Sequence, residues 1–189
     1  MERNFAYSGA IPLNTDLMLT NLNAYIGLSK LAAAVLGINT IANGLSVAPA
    51  TPANLTVIVA PGELYSLQEC DPTAYGDVGT NTFNLVKQGV NQSSTTVSLS
   101  APATSGYSQN YLIEFGYSGV DGDSQVLNYY NAANPSSPLS GPGGSGAPNN
   151  TVRFDNISIT AKAGVAAPTG TSNTNTGHRS YRWLCCNRR

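Results

Sequence analysis

The sequence predicts a mainly β protein: an N-terminal extended arm and one amphipathic α-helix, followed by a β-sandwich-like domain. Two observations carry this. Only residues 8–37, "SGAIPLNTDLMLTNLNAYIGLSKLAAAVLG", combine helical periodicity with start and stop signals. From residue 38 onward, short runs with period two or continuous apolar character alternate with Gly, Pro, Asn and Ser at intervals of about 8–12 residues, the spacing of a sandwich. The chain divides into residues 1–37 (arm and helix), 38–168 (β-domain) and 169–189 (linker and basic tail). No internal repeat is visible.

Pro12 keeps Ile11 out of helix, so residues 1–13 read as an arm. Asn14 or Thr15 can cap the helix, Asp16 suits its first turn, and Gly37 is a natural stop. Between them Met18, Leu22, Tyr25, Ala32 and Leu36 recur at spacings that place them on one stripe, widened by Leu28, Leu31 and Val35. A helix of ~20 residues is ~30 Å long, and such a stripe needs a partner. Its own β-domain and the same helix of neighbouring subunits both fit. Ser29 interrupts the 4–3 seam and argues against an ideal coiled coil. Expected strands are 38–42, 45–47, 54–60, 64–67, 82–87, 95–99, 111–117, 125–130 and 151–162. Residues 131–150, "NAANPSSPLSGPGGSGAPNN", read as a long loop.

Charged residues are 10% of the chain, against roughly 25% in an average soluble domain. A surface built from Ser, Thr, Asn, Gly and Tyr tolerates close contact with other protein, which hints at assembly. Residues 1–178 carry five basic and ten acidic side chains and have no basic stripe, so nucleic acid is not an expected partner. No leader is recognisable at "MERNF", and the most apolar window, "LAAAVLG", is too short to span a bilayer. Synthesis in a cytoplasm without secretion is expected, and no membrane insertion.

The motifs that could carry chemistry each meet a plainer reading. "GPGGSG" at 141–146 matches a dinucleotide loop by letter, but Pro142 lies inside it and a strand, not a helix, follows. "DGDSQ" at 121–125 lacks the further oxygens of a Ca²⁺ loop and reads as a polar hairpin turn. Glu63, Glu69 and Asp71 could form an acid pair for glycoside hydrolysis, but neighbouring Gly and Pro suggest solvated turns. Glu114, in an apolar run, should face solvent or a subunit contact. The single histidine, His178, lies in a polar tail far from Cys70, which disfavours a triad. With Cys185 and Cys186 it would need a fourth ligand to hold zinc. No catalytic residue, metal or cofactor is expected. Tyrosine, with ten residues, outnumbers Phe and Trp together. Tyr129, Tyr130, Asn131 and Asn134, at the mouth of the long loop, form a candidate receptor contact, because Tyr with Asn offers a flat apolar face beside hydrogen bonds. The plainer reading is packing within the sandwich or a subunit contact.

The tail "HRSYRWLCCNRR" holds the only Trp and four of the nine basic residues. Read one base forward, the codons for Trp183 to Asn187 give Gly, then one of Phe, Ser, Tyr or Cys, then Val or Ala twice, then Ile or Thr, a strand vocabulary. A late frameshift, or a basic tail that docks on an acidic neighbour, accounts for the change of character. The strings "AYSGAIPLNTDLMLTNLNAYIGLSKLAAAVLG", "LSVAPATPANLTVIVAPGELYSLQ", "YLIEFGYSGVD", "LNYYNAANPSSPLSGPGGSG" and "TVRFDNISITAKAGVAAPTGT" resemble tail-fibre and related tail structural proteins of bacteriophages and prophages, over about residues 5–172. The resemblance implies a non-enzymatic virion component in the tail: a fibre or fibre-anchoring subunit, often trimeric, attached through its N-terminal part to other tail proteins. Ile11, Pro12, Leu13, Met18, Leu22, Tyr25, Leu28, Leu31 and Val35 would then form the oligomerisation and attachment device. A receptor- or host-glycan-binding adhesin is the alternative, and a polysaccharide depolymerase fragment a remote one.

Overall fold

A computed structural model describes residues 2–5 and 7–170, and the backbone of 183–185. It has one α-helix followed by β-sheets in a sandwich-like arrangement, as expected. The helix, α1, spans Asn14–Leu36. Gly37 ends it at φ +79°, a conformation that side chains with a Cβ avoid, and its N–H donates to Ala33 O at 2.9 Å. The cap position is Leu13, not Asn14 or Thr15. Asp16 causes the difference: its carboxylate reaches back to accept the Leu13 N–H at 2.9 Å, while the Asp16 N–H donates to Leu13 O at 3.0 Å. Asn14 is left to bond the Asp77 carboxylate. The described residues before the helix are all exposed, as an arm should be.

The strands are β1 (Ile41–Gly44), β2 (Val47–Pro49), β3 (Thr56–Val59), β4 (Gly62–Asp71), β5 (Asn81–Asn91), β6 (Thr95–Ser98), β7 (Tyr107–Ser108), β8 (Tyr111–Gln125), β9 (Asn128–Tyr129), β10 (Leu139–Ser140), β11 (Asn149–Ala163), β12 (Ala167–Pro168) and β13 (Trp183–Cys185). A six-stranded sheet runs β1-β4-β5-β11-β8-β13 and a three-stranded sheet runs β2-β3-β6. Two small pairs, β9–β10 and β7–β12, complete the set. "DGDSQ" is not a turn. It is the end of β8, paired with β11 up to Gln125↔Asn149, so the two strands form a ribbon about 50 Å long. The long loop is likewise not structureless: it contains β10 and a 3-10 turn at Pro142–Gly144. Glu63, Glu69 and Asp71 lie in β4 rather than in solvated turns.

Side chains alternate along β8 and β11. The set containing Ile113, Phe115, Ile157, Ile159 and Ala161 faces Leu45, Val57 and Val59, which forms the sandwich core. Further along the same face α1 takes the place of the small sheet: Leu22 packs with Cys70 and Leu85, flanked by Leu19, Tyr25 and Ile26. The opposite set leaves Val120, Val152 and Phe154 exposed. Glu114, on that open side, is mostly covered rather than facing solvent, and its Oε2 pairs with Lys162 Nζ at 2.6 Å.

One junction in the large sheet is unlike the others. β5 and β11 are parallel neighbours, yet they share only the pair Val90↔Asn156. Beside it, a Cβ on Gly89 would stand 2.6 Å from Asn156 O. Only glycine fits this approach. Gly89→Ala should therefore force the strands apart and cost about 1–3 kcal/mol in urea unfolding, whereas Val152→Ala on the open side should stay within about 0.5 kcal/mol of wild type.

Candidate functional site

From the Val90↔Asn156 junction toward their N-terminal ends, β5 and β11 make no further pairs, and the sheet opens into a cleft. Two layers of polar side chains bridge it, centred on Lys87 and Arg153. At the junction stands Gly89. Next comes Lys87, only 3% exposed, whose Nζ donates to Cys70 O at 2.9 Å and lies 3.9 Å from Asp155 Oδ1. The ammonium also sits 4.8 Å from the Tyr117 ring centroid and 5.7 Å from that of Tyr25. A buried ammonium is tolerable because a carbonyl, a carboxylate and two ring faces replace its water. The Tyr117 hydroxyl donates to Asp155. At the mouth, Arg153 binds Asp121 through Nε at 2.6 Å and Nη2 at 2.8 Å. Its Nη1 donates to Asp71 at 2.8 Å, and Nη2 reaches Thr73 Oγ1 at 3.0 Å and Ala74 O at 2.9 Å. A single guanidinium thus ties β11 to β8 on one side and to the end of β4 on the other.

Helix α1 roofs this cleft. Asn21, Leu22 and Tyr25 close a cavity of about 230 Å³ whose other walls include Asp71, Tyr75, Lys87, Arg153 and Asp155. A second cavity, of about 810 Å³, shares Lys87 and Arg153 and is lined also by Glu69, Asn84, Tyr117 and Ser118. The electrostatics follow from the packing. The Arg153 hydrogen bonds hold Asp121 below the usual carboxylate range. Burial first, and then Asp155, push the phenols of Tyr25 and Tyr117 well above their ordinary value. Burial, followed by the neighbouring Asp71, raises the Cys70 thiol to about 11. The Tyr25 hydroxyl is buried without a hydrogen-bond partner of good geometry.

The helix residues singled out from the sequence fall on different sides. Leu22 and Tyr25 face the sheet, and Met18 lies against the β4–β5 connection near Gly76. Leu28 (67% exposed), Leu31 (61%) and Val35 (74%) point the other way, and Ile11, Pro12 and Leu13 on the arm are exposed. Ser29, which breaks the expected seam, is buried on the sheet side. It therefore interrupts nothing on the outer face. Leu17, 72% exposed, belongs to that outer face and was missing from the stripe read from the sequence. Its signal was present: Leu17, Ala24, Leu28, Leu31 and Val35 keep heptad spacing.

At the loop mouth, Tyr129 pairs with Leu139 and its hydroxyl accepts from Asn149 Nδ2 at 2.6 Å. Asn131 accepts the N–H groups of Ala133 and Asn134 and donates to Ser137 O. These two residues build the loop, while Tyr130 stands 78% exposed. Asp71, one of the three acids considered for hydrolysis, is held by Arg153. Glu63 accepts from Asn43 Nδ2 at 3.0 Å. His178 and Cys186 lie outside the described residues, and only the backbone of Cys185 is described, paired with Tyr111. Among the described residues no group of three His, Cys, Asp or Glu could hold a metal, and no helix is long and apolar enough to cross a membrane.

Two outcomes follow. Tyr25→Phe removes the unpartnered hydroxyl and should leave stability unchanged or raise it by up to about 1 kcal/mol in urea unfolding. The raised thiol and phenols also set a direction with pH. Each is held protonated in the fold, so its stabilisation is complete below the unfolded value and is lost as pH rises. The urea midpoint should decline from about pH 8.5, where an unfolded thiol ionises, and Cys70→Ala should move that onset toward the tyrosine range near pH 10.

No protein-family model, curated protein or solved structure matches the chain.

Proposed function

We propose that this protein is a non-enzymatic structural subunit of a phage tail, a fibre or fibre-anchoring component, that self-assembles through α1 and attaches to other tail proteins through its arm. The observation that carries this reading is the outer face of α1. Leu17, Ala24, Leu28, Leu31 and Val35 are all exposed, and with Asn21, which stands at the edge between this face and the cleft cavity, they follow the 4-3-4-3-4 spacing of a coiled-coil seam. The helix has already satisfied its own domain through Leu19, Leu22 and Ile26 on the opposite side. Among the described residues this second apolar face has no partner within the chain.

A copy of the same helix is the occupant that fits. The seam repeats with the period that lets like helices interlock, and an Asn at a seam position favours one register over others. Few charges border it: α1 carries only Asp16 and Lys30, and Lys30 is turned onto the Phe83 ring at 4.2 Å. The seam covers fewer than the three or four heptads that define a coiled coil by pattern, so the arm must add contact. Ile11, 90% exposed, and Leu13 supply apolar surface next to the seam for a neighbouring copy or another tail protein. A trimer accords with the resemblance of the sequence to tail-fibre proteins.

Light scattering tests the reading. The wild-type protein should have a mass that is a multiple of the monomer. Leu28→Glu with Leu31→Glu should reduce it to the monomer while the circular dichroism spectrum is retained, since both positions are exposed within one chain. A wild-type protein that stays monomeric at high concentration would remove self-assembly from the proposal.

A further inference from the structure

We infer that the groove on the open side of the split sheet is a binding site for a neutral polyhydroxylated ligand of the saccharide class. The groove is the cavity of about 810 Å³ that runs over the cleft between β5 and the β8–β11 ribbon. That volume lies within the roughly 300–1,000 Å³ of small-ligand sites. It exists because the sheet splits, and Lys87 and Arg153, the two cations that bridge the cleft, form its floor.

Chemistry selects the ligand class. Both cations of the floor are committed to protein: Arg153 to Asp71, Asp121, Thr73 and Ala74, and Lys87 to Cys70 O and Asp155. Neither is available to an anion, and Glu69 on the wall repels one. Glu69 and Asn84, both exposed, stand directly opposite each other on β4 and β5. A carboxylate offers acceptors to hydroxyl groups, and an amide offers both acceptor and donors. Between and beside them are the apolar surfaces of Leu67 and Val120 with the Ser118 hydroxyl. Planar hydrogen-bonding groups alternating with apolar patches match a pyranose, whose rim is hydroxylated and whose ring faces are C–H surface. This place is separate from the Tyr129–Asn134 loop, and the inference does not depend on self-assembly through α1.

Saturation-transfer NMR on the full-length protein tests it. The probes are the neutral trisaccharides maltotriose, cellotriose, mannotriose and triacetylchitotriose at about 5 mM, suited to a millimolar complex, with sialyllactose and orthophosphate as anionic probes. At least one neutral trisaccharide should receive saturation, and the signal should fall about fivefold or more with Glu69→Ala plus Asn84→Ala, which corresponds to roughly 1 kcal/mol of lost binding. Asn84→Trp, which fills the groove, should abolish it. Thermal unfolding of each variant should match wild type because both side chains are exposed. Silence from every neutral probe, a signal that survives both variants, or equal binding of an anionic probe would overturn the assignment.

Discussion

The architecture depends on the single contact between β5 and β11. Every other neighbouring pair in the large sheet is antiparallel and joined by a ladder, whereas these two strands are parallel and meet at Val90 and Asn156 alone. Parallel neighbours cannot be linked by a tight turn, and here the chain travels through β6, β8 and the long loop before returning as β11. The contact is close enough that a Cβ at Gly89 would collide with the facing carbonyl. Beyond it the strands separate, and the exposed cleft has to be closed by something other than a backbone ladder. Side chains do this: an ammonium in the middle and a guanidinium at the mouth, each matched to carboxylates. Such buried ion pairs add little net stability over an apolar filling. Their effect is to fix how far the cleft opens and which strand lies opposite which.

The same opening explains why the helix is needed and why it has two apolar faces. Without α1, Cys70, Leu85 and the Lys87–Asp155 bridge would face water on the covered side of the sheet. Leu22 and Tyr25 seal that side. In a helix with 3.6 residues per turn, residues 22, 26 and 29 lie nearly opposite residues 17, 24, 28, 31 and 35. One rod therefore has a domain-facing side and a solvent-facing side, with little polar surface to separate them. A polar outer face would have sufficed for a helix whose task ended with covering the sheet.

The fold class and the single helix were legible because they rest on local signals: Pro12, Gly37, the period of the apolar residues and the turn residues after 38. The outer ends of β8 and β11 were not. "DGDSQ" carries turn chemistry, and its incorporation into a strand comes from the ladder with β11 and from Asp121 pairing with Arg153 across it. The two sides of the helix were merged into one stripe because the 4–3 series through Met18, Leu22, Tyr25, Ala32 and Leu36 was widened with Leu28, Leu31 and Val35, although Leu28 lies about a third of a turn from Leu22. The cleft was invisible to pattern reading. Asp71, Lys87, Asp121 and Arg153 come from four distant segments, and no short motif links them. Asp71 grouped by sequence with Glu63 and Glu69, and Asp121 with Asp123, while Lys87 and Arg153 stood alone, so nothing local joined the four.

The proposed assembly would be coupled to the cleft. The residues that roof the cleft and the residues proposed to meet a neighbouring copy occupy one rigid helix. Lifting the roof would expose Leu22 and Cys70 and would also carry Leu28 and Leu31 out of any interface with a second copy. Association that requires the docked helix therefore adds its free energy to docking. At a protein concentration one hundred times the dissociation constant this amounts to about 2.7 kcal/mol. That is comparable to the about 2–5 kcal/mol expected from one buried leucine. Assembly through the outer face thus tightens the packing of the inner face. Under the proposed self-assembly, a chain with few charges and a one-pair junction at the centre of its sheet would gain part of its rigidity from its copies.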